Sequence, residues 1–296
     1  MHKYLRFIFD IAYRFNVLNS RGLFKRLSDK RYLMIAYKSR FHRKLDLVNP
    51  KTFNEKLQWL KLYDRKDEYT QMVDKYEVKS YVARRIGSEY VIPTIAIGDS
   101  FDEIDFNVLP NSFVIKCTHD SGSAVICKDK ETIDNEAVRA KLSICLQRNY
   151  YNIGREWPYK NVRPRIIVDA YLDDHTGKEL RDYKWWCFNG HPRIMYCTIK
   201  GDNIYENFYD MNFQPVMIDH GFPRHIPEFE RPVNFEIMRD LATKLAKDIP
   251  FVRVDFFDVE GKVYFSEFTF YDWGGMKPFG ADWDERLGDL IPIPNK

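Results

Sequence analysis

The chain has 296 residues, of which 45% are hydrophobic, 16% aromatic and 30% charged, a balance typical of globular proteins that excludes extensive disorder. The formal net charge of +3 is divided unevenly. Residues 1–45 hold 12 Lys and Arg against 2 Asp, and the remaining residues hold 34 Lys and Arg against 41 Asp and Glu. Because the positive charge is confined to one end and no recognition motif accompanies it, nucleic-acid binding is not expected. No run of 18 apolar residues occurs, so we expect a cytoplasmic protein.

The N-terminal segment has a helical pattern. Ile8, Ile11 and Phe15 recur at helical spacing beside Arg6 and Arg14, which predicts a basic amphipathic helix. We favour a helix that packs on its own domain, and the alternative is peripheral contact with an anionic membrane surface. The five cysteines are odd in number and lack a Cys-x-x-Cys pair, which is typical of reduced core residues.

Two helices and a strand are predicted next. Thr52 and Glu55 have the spacing of a capping box, so a helix should begin there. A second helix is predicted over residues 74–87 because its apolar positions recur at helical spacing and a glycine ends it. Residues 91–97 are strand-like, and Pro93 favours an edge position.

A strand over residues 113–117 carries one charge, Lys116. An isolated buried ammonium is costly, so an anion is expected beside it, and the alternative is an edge lysine that reaches water. The next loop is small and polar, of a kind whose backbone N–H groups bind phosphate: His119, Asp120, Ser121, Gly122 and Ser123. The loop matches neither Gly-x4-Gly-Lys-Ser/Thr nor Gly-x-Gly-x-x-Gly.

Further along, a helix is predicted over residues 135–150 and a buried strand over residues 165–172, which carries the acid Asp169. A hairpin follows, in which Asn189-Gly190 suits a type I′ turn. Asp182 and Lys184 share one face of its first strand. That pair is either part of a site or a surface ion pair of little energetic weight.

The last hairpin, residues 251–270, turns at Gly261, and the turn length determines which side chains share a face. A two-residue turn puts Asp255 opposite Ser266 and sends Glu267 to the other face. A three-residue turn puts Asp255 opposite Glu267.

We favour the three-residue turn because it separates a polar face from an apolar one. The polar face then holds Arg253, Asp255, Glu267 and Thr269. Two facing acids repel unless a cation lies between them, and Mg²⁺ suits carboxylates together with phosphate oxygens. An ordinary half-solvated hairpin is the alternative.

The order of these elements resembles the ATP-grasp fold: a lysine before a small-residue loop, then a strand with an acid, then a hairpin with paired acids. The resemblance is to the TupA-like branch, found in bacterial surface-polysaccharide biosynthesis, and covers about residues 45–290. Its motifs match Asn49–Leu60, Phe113–His119, Asp182–Gly190, Val252–Asp255 and Phe265–Phe270.

The fold that this resemblance implies is α+β, with two lobes whose antiparallel sheets enclose ATP, preceded by a helical basic segment. We expect the helical segment over residues 1–70, the first lobe over 71–168 and the second lobe, with the metal site, over 169–296.

The resemblance also implies roles for single residues. ATP would be bound by phosphate-holding residues (Lys75, Lys116, His119, Ser121, Gly122, Ser123), by adenine-reading residues (Asp169, Leu172) and by the ribose-binding Asp182. Mg²⁺ would be bound by Asp255, Glu267 and Thr269. Arg253, beside the transferring phosphate, and Lys184 are the candidate catalytic residues. The chain departs from the wider superfamily in having Asp169 for Glu and Thr269 for Asn, and the second change weakens the case for a second metal ion.

Superfamily chemistry implies that ATP phosphorylates a carboxylate and that an amine then forms an amide. We therefore expect a ligase that joins an amino acid or amine to a uronic acid of a bacterial capsular or cell-wall glycan. The basic N-terminus would contact the inner membrane or polysaccharide-assembly proteins. The alternatives are a glycosyltransferase using Asp282-Trp-Asp284, an ATP-grasp kinase and a nucleotide-binding scaffold without turnover.

Overall fold

The computed structural model describes residues 3–175, 180–200, 204–280 and 282–293. Three helices form the N-terminal segment: α1 (Lys3–Phe9), α2 (Ile11–Ser20) and α3 (Asp29–Phe41). Asp10 divides the predicted helix because its carboxylate accepts a hydrogen bond from Tyr13 N at 2.8 Å and starts α2. Phe15 packs inward on Phe24, with 5.0 Å between ring centroids, whereas Ile8 and Ile11 are exposed. No helix in the described ranges is long and apolar enough to cross a membrane.

Three helices follow: α4 (Phe53–Tyr63), α5 (Glu68–Val73) and α6 (Glu77–Ile86). The capping box predicted for α4 is confirmed, since Thr52 and Glu55 exchange hydrogen bonds of 3.3 and 3.2 Å. The second helix begins three residues later than predicted. Asp74 accepts hydrogen bonds from the backbone N–H groups of Tyr76 and Glu77 and thereby holds a turn between α5 and α6.

A four-stranded antiparallel sheet has the order β1-β4-β2-β3. Its strands are β1 (Thr94–Gly98), β2 (Phe113–Cys117), β3 (Val125–Cys127) and β4 (Ile166–Ala170). The edge position predicted for the strand after Pro93 is confirmed. The helix α7 (Asn135–Leu146) packs on this sheet and ends four residues before the predicted boundary. The short α8 (Tyr151–Gly154) follows.

A six-stranded antiparallel sheet has the order β10-β9-β5-β6-β7-β8. Its strands are β5 (Asp182–Phe188), β6 (His191–Lys200), β7 (Ile204–Tyr209), β8 (Pro215–Val216), β9 (Phe251–Val259) and β10 (Lys262–Thr269). The predicted type I′ turn between β5 and β6 is confirmed by positive φ at Asn189 (49°) and Gly190 (79°). One face of the sheet packs against α9 (Phe235–Leu245), and α10 (Trp283–Asp289) lies beside α4.

The turn between β9 and β10 corrects our prediction. Val259 pairs with Lys262, so the turn has two residues, not three. Asp255 nevertheless pairs with Glu267, because a β-bulge between Phe265 and Glu267 inserts one residue and restores the favoured register. The register was therefore predicted correctly for the wrong reason.

The described residues form two hydrophobic cores, one for each sheet. The larger core also takes side chains from α3 to α6: Tyr69 packs on Phe270 at 4.3 Å and Tyr81 on Phe268 at 6.0 Å between ring centroids. The helices α5 and α6 thus share a core with the larger sheet. The division between the two cores therefore does not coincide with the domain boundary predicted at residue 70. All five cysteines are buried and unpaired.

Candidate functional site

A cavity of about 1060 Å³ lies between the two sheets. Residues of β2 and of the loop after it form one wall, and residues of β9 and β10 form another. Side chains of α2 and α3 also line the cavity. The cavity brings together eleven of the fourteen residues predicted for the site: Lys75, Lys116, Ser121, Gly122, Ser123, Asp169, Leu172, Asp182, Arg253, Glu267 and Thr269.

The centre of the polar wall is the guanidinium of Arg253. It donates to Asp255 at 2.7 and 2.8 Å, to Glu267 at 2.9 Å and to Asp272 at 2.5 Å. Burial raises the pKa of the Asp255 carboxyl, and the charge of Arg253 opposes that rise. The cation expected between the two facing acids is therefore supplied, in this structure, by an arginine.

Lys184 lies opposite Asp255 across β5 and β9 and donates to Asp182 at 2.7 Å. Burial lowers the pKa of Lys184, but Asp182 and Asp255 together outweigh burial and raise it. Lys184 is thus held as a cation beside Asp182 and Asp255. The second carboxylate oxygen of Asp182 is buried without a hydrogen-bond partner in the described part of the chain, and Asp182 lines the cavity.

Lys116 meets the anion that its position predicted. Its ammonium lies 3.0 Å from Asp169, and Lys79 of α6 lies 2.5 Å from the other oxygen of the same carboxylate. Both oxygens of Asp169 are therefore engaged by lysines, and its predicted contact with adenine stays a prediction. The carboxylate fixes Lys116 beside the cavity.

Lys75 stands in the turn between α5 and α6. Its ammonium donates to the carbonyl of Asp120, and burial together with nearby Lys116 lowers its pKa, while Glu267 raises it. The loop after β2 is held by Ser123, whose hydroxyl bonds both Asp120 at 2.5 Å and the N–H of Cys117 at 2.9 Å.

The tip of that loop, Ser121-Gly122, is exposed and lines the cavity. His119 departs from its predicted place. It is buried, its Nε2 lies 3.0 Å from the carbonyl of Arg148, and it is not part of the cavity wall. The lysines and the loop tip together leave a cationic, donor-rich surface facing Glu267.

Five apolar side chains also line the cavity and are called here the apolar slot; only one of them was predicted from the sequence. Its side chains are Val114, Ile126, Leu172, Leu180 and Phe257. Each stands in a strand or beside one at a position that reads as ordinary core, so no local signal marks it. The slot suits a flat apolar ring system next to the phosphate-binding surface.

Two oxygen donors on the cavity wall, Glu267 and Thr269, suit a single Mg²⁺ ion that also binds phosphate. Among the described residues no group of three or more His, Cys, Asp or Glu side chains is arranged to hold a metal. Mg²⁺, however, commonly takes one or two carboxylates and completes its shell with phosphate oxygens and water. Glu267 and Thr269 open onto the cavity, and Asp255 lies beneath Arg253 next to them.

Sequence reasoning missed the support behind Arg253. Asp272, just after β10, accepts from the guanidinium, and Tyr196 of β6 lies 3.3 Å from it. His220 bonds Glu206 at 2.8 Å and places its other ring nitrogen 3.9 Å from Asp272. The only available signal was the acid in Tyr271-Asp-Trp-Gly-Gly, directly after the paired strands.

The Asp282-Trp-Asp284 motif lies outside the cavity wall. Asp284 accepts from the backbone N–H and the side-chain amide of Asn54, at 3.0 and 2.9 Å, and thereby joins α10 to α4. Asp282 stands at the N-terminal boundary of α10. Asp284 therefore has a structural role.

Comparison with protein families gives one match: the model described as TupA-like ATPgrasp matches residues 55–292. A sequence search of curated proteins found no match.

Solved structures similar to the chain include the D-alanine–D-alanine ligase of Bacillus anthracis complexed with ATP, at 12% identity and a TM-score of 0.37, covering 67% of this chain and 53% of that one. The D-alanine–D-alanine ligase of Helicobacter pylori has 13% identity and a TM-score of 0.42, covering 81% and 69%. A RimK domain ATP-grasp protein of Sphaerobacter thermophilus has 10% identity and a TM-score of 0.42, covering 75% and 69%. The chain thus spans about half the length of the first of these proteins.

Proposed function

The chain belongs to the TupA-like ATP-grasp family, and we propose that it is an ATP- and Mg²⁺-dependent ligase that joins a carboxylate to an amine through an acyl phosphate. One observation carries the proposal. Lys75 and Lys116 of one wall and Arg253 and Glu267 of the other line the same cavity. A triphosphate between these walls would meet cations on both sides and a carboxylate that can share a metal ion with it.

The nucleotide occupies the deeper part of the cavity in this proposal. Lys75, Lys116 and the N–H groups of Ser121–Ser123 take the phosphates. The unpartnered carboxylate oxygen of Asp182 accepts from a ribose hydroxyl. Adenine lies in the apolar slot, near Leu172.

Asp255, Glu267 and Thr269 would hold Mg²⁺, which neutralises charge on the transferring phosphate. Arg253 keeps a guanidinium beside the same phosphate, and Lys184 keeps a second cation next to Asp255. These fixed charges act by electrostatic stabilisation.

The reaction needs no side-chain nucleophile. A carboxylate oxygen of the acceptor attacks the γ-phosphorus, the bond to the ADP oxygen breaks, and an acyl phosphate forms. The nitrogen of a neutral amine then attacks the acyl carbon and phosphate leaves. The amine proton departs with the phosphate, so the products are ADP, hydrogen phosphate and the amide.

The acceptor we propose is a uronic acid of a bacterial capsular or cell-wall glycan, and the amine is an amino acid or amino compound. The support for this is the family resemblance to proteins of surface-polysaccharide biosynthesis. A cytoplasmic location with peripheral contact at the inner membrane, or with assembly proteins, belongs to the same proposal. Phe9 supports the peripheral contact, because its side chain is 75% exposed beside the basic residues of α1 and α2. Comparing sedimentation of the protein with anionic and with neutral vesicles tests this contact.

The experiment is a screen for ADP release from Mg-ATP with paired uronates and amines, with the products identified by mass spectrometry. We expect an amide product and a loss of at least about 10²-fold in Lys116→Ala. Lys244→Ala, exposed on α9, is the matched control. A phosphorylated sugar formed without amine would show a kinase, and Mg-ATP binding without turnover would show a scaffold. UDP-sugar turnover lost in Asp282→Ala would show a glycosyltransferase.

A further inference from the structure

The N-terminal segment lines a part of the cavity that we call its helical end. Phe15 and Asn16 of α2 and Ser39 and Arg40 of α3 line it. These residues precede the family match, which begins at residue 55. This end of the cavity is therefore shaped by residues outside the matched family region.

Trp273 presents a half-open ring to this end. It is 50% exposed and lines the cavity, although tryptophan is a large apolar side chain. Its φ of 49° lies in the left-handed region, which is strained for a bulky residue, and strain of this kind concentrates at functional sites. Lys61, fully buried, holds the turn by donating to the carbonyl of Gly274 at 2.7 Å.

The turn that carries Trp273 is fixed to the reacting centre. Asp272, the preceding residue, accepts from Arg253 at 2.5 Å, and adjacent Cα atoms are about 3.8 Å apart. A ring packed on Trp273 would therefore place a substituent near the guanidinium that we assign to the transferring phosphate.

Two cations lie beside Trp273 without an acidic partner. Lys277 sits 3.7 Å from the ring centroid of Phe222 and 4.7 Å from that of Trp273. Arg40 donates to the carbonyl of Met276 at 2.9 Å. Among the described residues neither Arg40 nor Lys277 has a carboxylate within 4.0 Å. Three acids act on Lys277 from farther away, and each has another partner: Glu206 bonds His220, Asp272 bonds Arg253, and Asp219 accepts from the N–H of Gly221. Burial lowers the pKa of Lys277, and Arg40 lowers it further.

We propose that Arg40, Trp273 and Lys277 form the acceptor subsite and that it binds an anionic sugar. The C–H face of a pyranose packs on the indole of Trp273, and a carboxylate or phosphate on that sugar, other than the reacting carboxylate, pairs with Lys277 and Arg40. The inference rests on the proposed function, because it treats the two ends of the cavity as nucleotide and acceptor sites.

The test measures sugar binding without turnover, by calorimetry and saturation-transfer NMR with Mg-ADP present. The probes are glucose, glucuronate, glucose 1-phosphate and glucuronic acid 1-phosphate. We expect glucuronic acid 1-phosphate to bind at least about tenfold more tightly than glucose. Trp273→Ala should weaken the binding of all of the sugars. Lys277→Gln and Arg40→Gln should each weaken by about tenfold the binding of the sugars that carry an anion other than the reacting carboxylate. Sensitivity of both 1-phosphates with no effect on glucuronate identifies a phosphate as the paired anion. Sensitivity of glucuronate, whose one carboxylate is the reacting group, would show that these cations bind the reacting carboxylate and would overturn the subsite.

Lys244→Gln, at an exposed position on α9, is the control for the loss of a charge. Arg40 lies on α3 and Lys277 lies after β10, so a folding defect in one variant leaves the other variant informative. Equal affinity for glucose and for every anionic sugar, or anionic binding unchanged in Lys277→Gln and Arg40→Gln, would overturn the inference. Amide formation by both variants with unchanged KM would overturn it while leaving the ligase function intact. Binding that depends on these residues without amide formation would instead refute the ligase.

Discussion

Asp255 lies directly opposite Glu267 across β9 and β10, and the guanidinium of Arg253 bonds both carboxylates. Arg253 thereby holds both acids on the polar face, and the pair needs no metal ion to stay together. The buried carboxylate of Asp255 thus always has a cation beside it. Without that partner a buried charge would be costly to maintain.

Asp255→Asn should therefore abolish productive Mg²⁺ use. We expect ATP turnover to fall by at least about 10²-fold, because the proposed metal site loses one of its two carboxylates and Arg253 loses the charge that accepts its 2.7 Å hydrogen bond. The measurement is ADP release across a Mg²⁺ titration. Asp240→Asn, with an exposed side chain on α9, should behave as the wild type. Turnover by Asp255→Asn at the wild-type rate would remove Asp255 from the metal site.

Asp169→Asn tests the buried partner of Lys116. The carboxylate serves two lysines with largely buried side chains, so its neutralisation leaves Lys79 and Lys116 without a counter-ion. We expect the free energy of unfolding to fall by about 3–5 kcal/mol, as measured by urea denaturation. Asp169→Glu keeps the charge and should lose less. A change below about 1 kcal/mol in Asp169→Asn would show that both lysines are satisfied by solvent.

Gly261→Ala tests the two-residue turn. Gly261 has φ of 77° and no atom within 4 Å of an added Cβ, so the substitution should cost only backbone strain. A loss of about 1 kcal/mol in unfolding free energy is expected, with a smaller loss for Gly261→Asn, which tolerates positive φ better. Equal stability of the alanine variant and the wild type would contradict this turn geometry.

The register of the β9–β10 hairpin could be predicted from the sequence, but the backbone geometry that produces it could not. The separation of polar and apolar side chains between strands correctly identified the pair Asp255 and Glu267. The β-bulge that achieves it could not be predicted, because the half-buried Ser266-Glu267 step fits the polar face in either arrangement and the turn residues suit more than one loop length.

The rest of the site divides in the same way. Lys116 was predictable because a lone charge in an apolar strand requires an anion, and its partner Asp169 was the lone acid of another strand. Their pairing was not predicted, since strand order is a tertiary property. His119 was misplaced because loop composition does not determine which side chain points inward. Asp272 and Trp273 were missed because their importance comes from contacts with Arg253 and the cavity.

Lys61→Met gives a pH-dependent prediction. Burial lowers the pKa of Lys61 to about 8 from 10.5, so between these values the unfolded chain binds more protons than the folded one. Stability contributed by this group therefore rises with pH across that window and is flat below it. We expect the unfolding free energy of the wild type, minus that of Lys61→Met, to increase by about 1 kcal/mol per pH unit from pH 8 to 10. Urea denaturation at each pH measures this difference. A difference independent of pH would place the ammonium in contact with water.

The most direct test of the central claim follows oxygen from the acceptor. With both carboxylate oxygens of the uronate labelled with ¹⁸O, attack on ATP and later expulsion of phosphate must carry one labelled oxygen into inorganic phosphate for each amide formed. Mass spectrometry of the phosphate should show that single ¹⁸O in the wild type and, in Lys116→Ala, little phosphate at all. Amide formed with unlabelled phosphate would contradict an acyl phosphate, and with it the function proposed for this cavity.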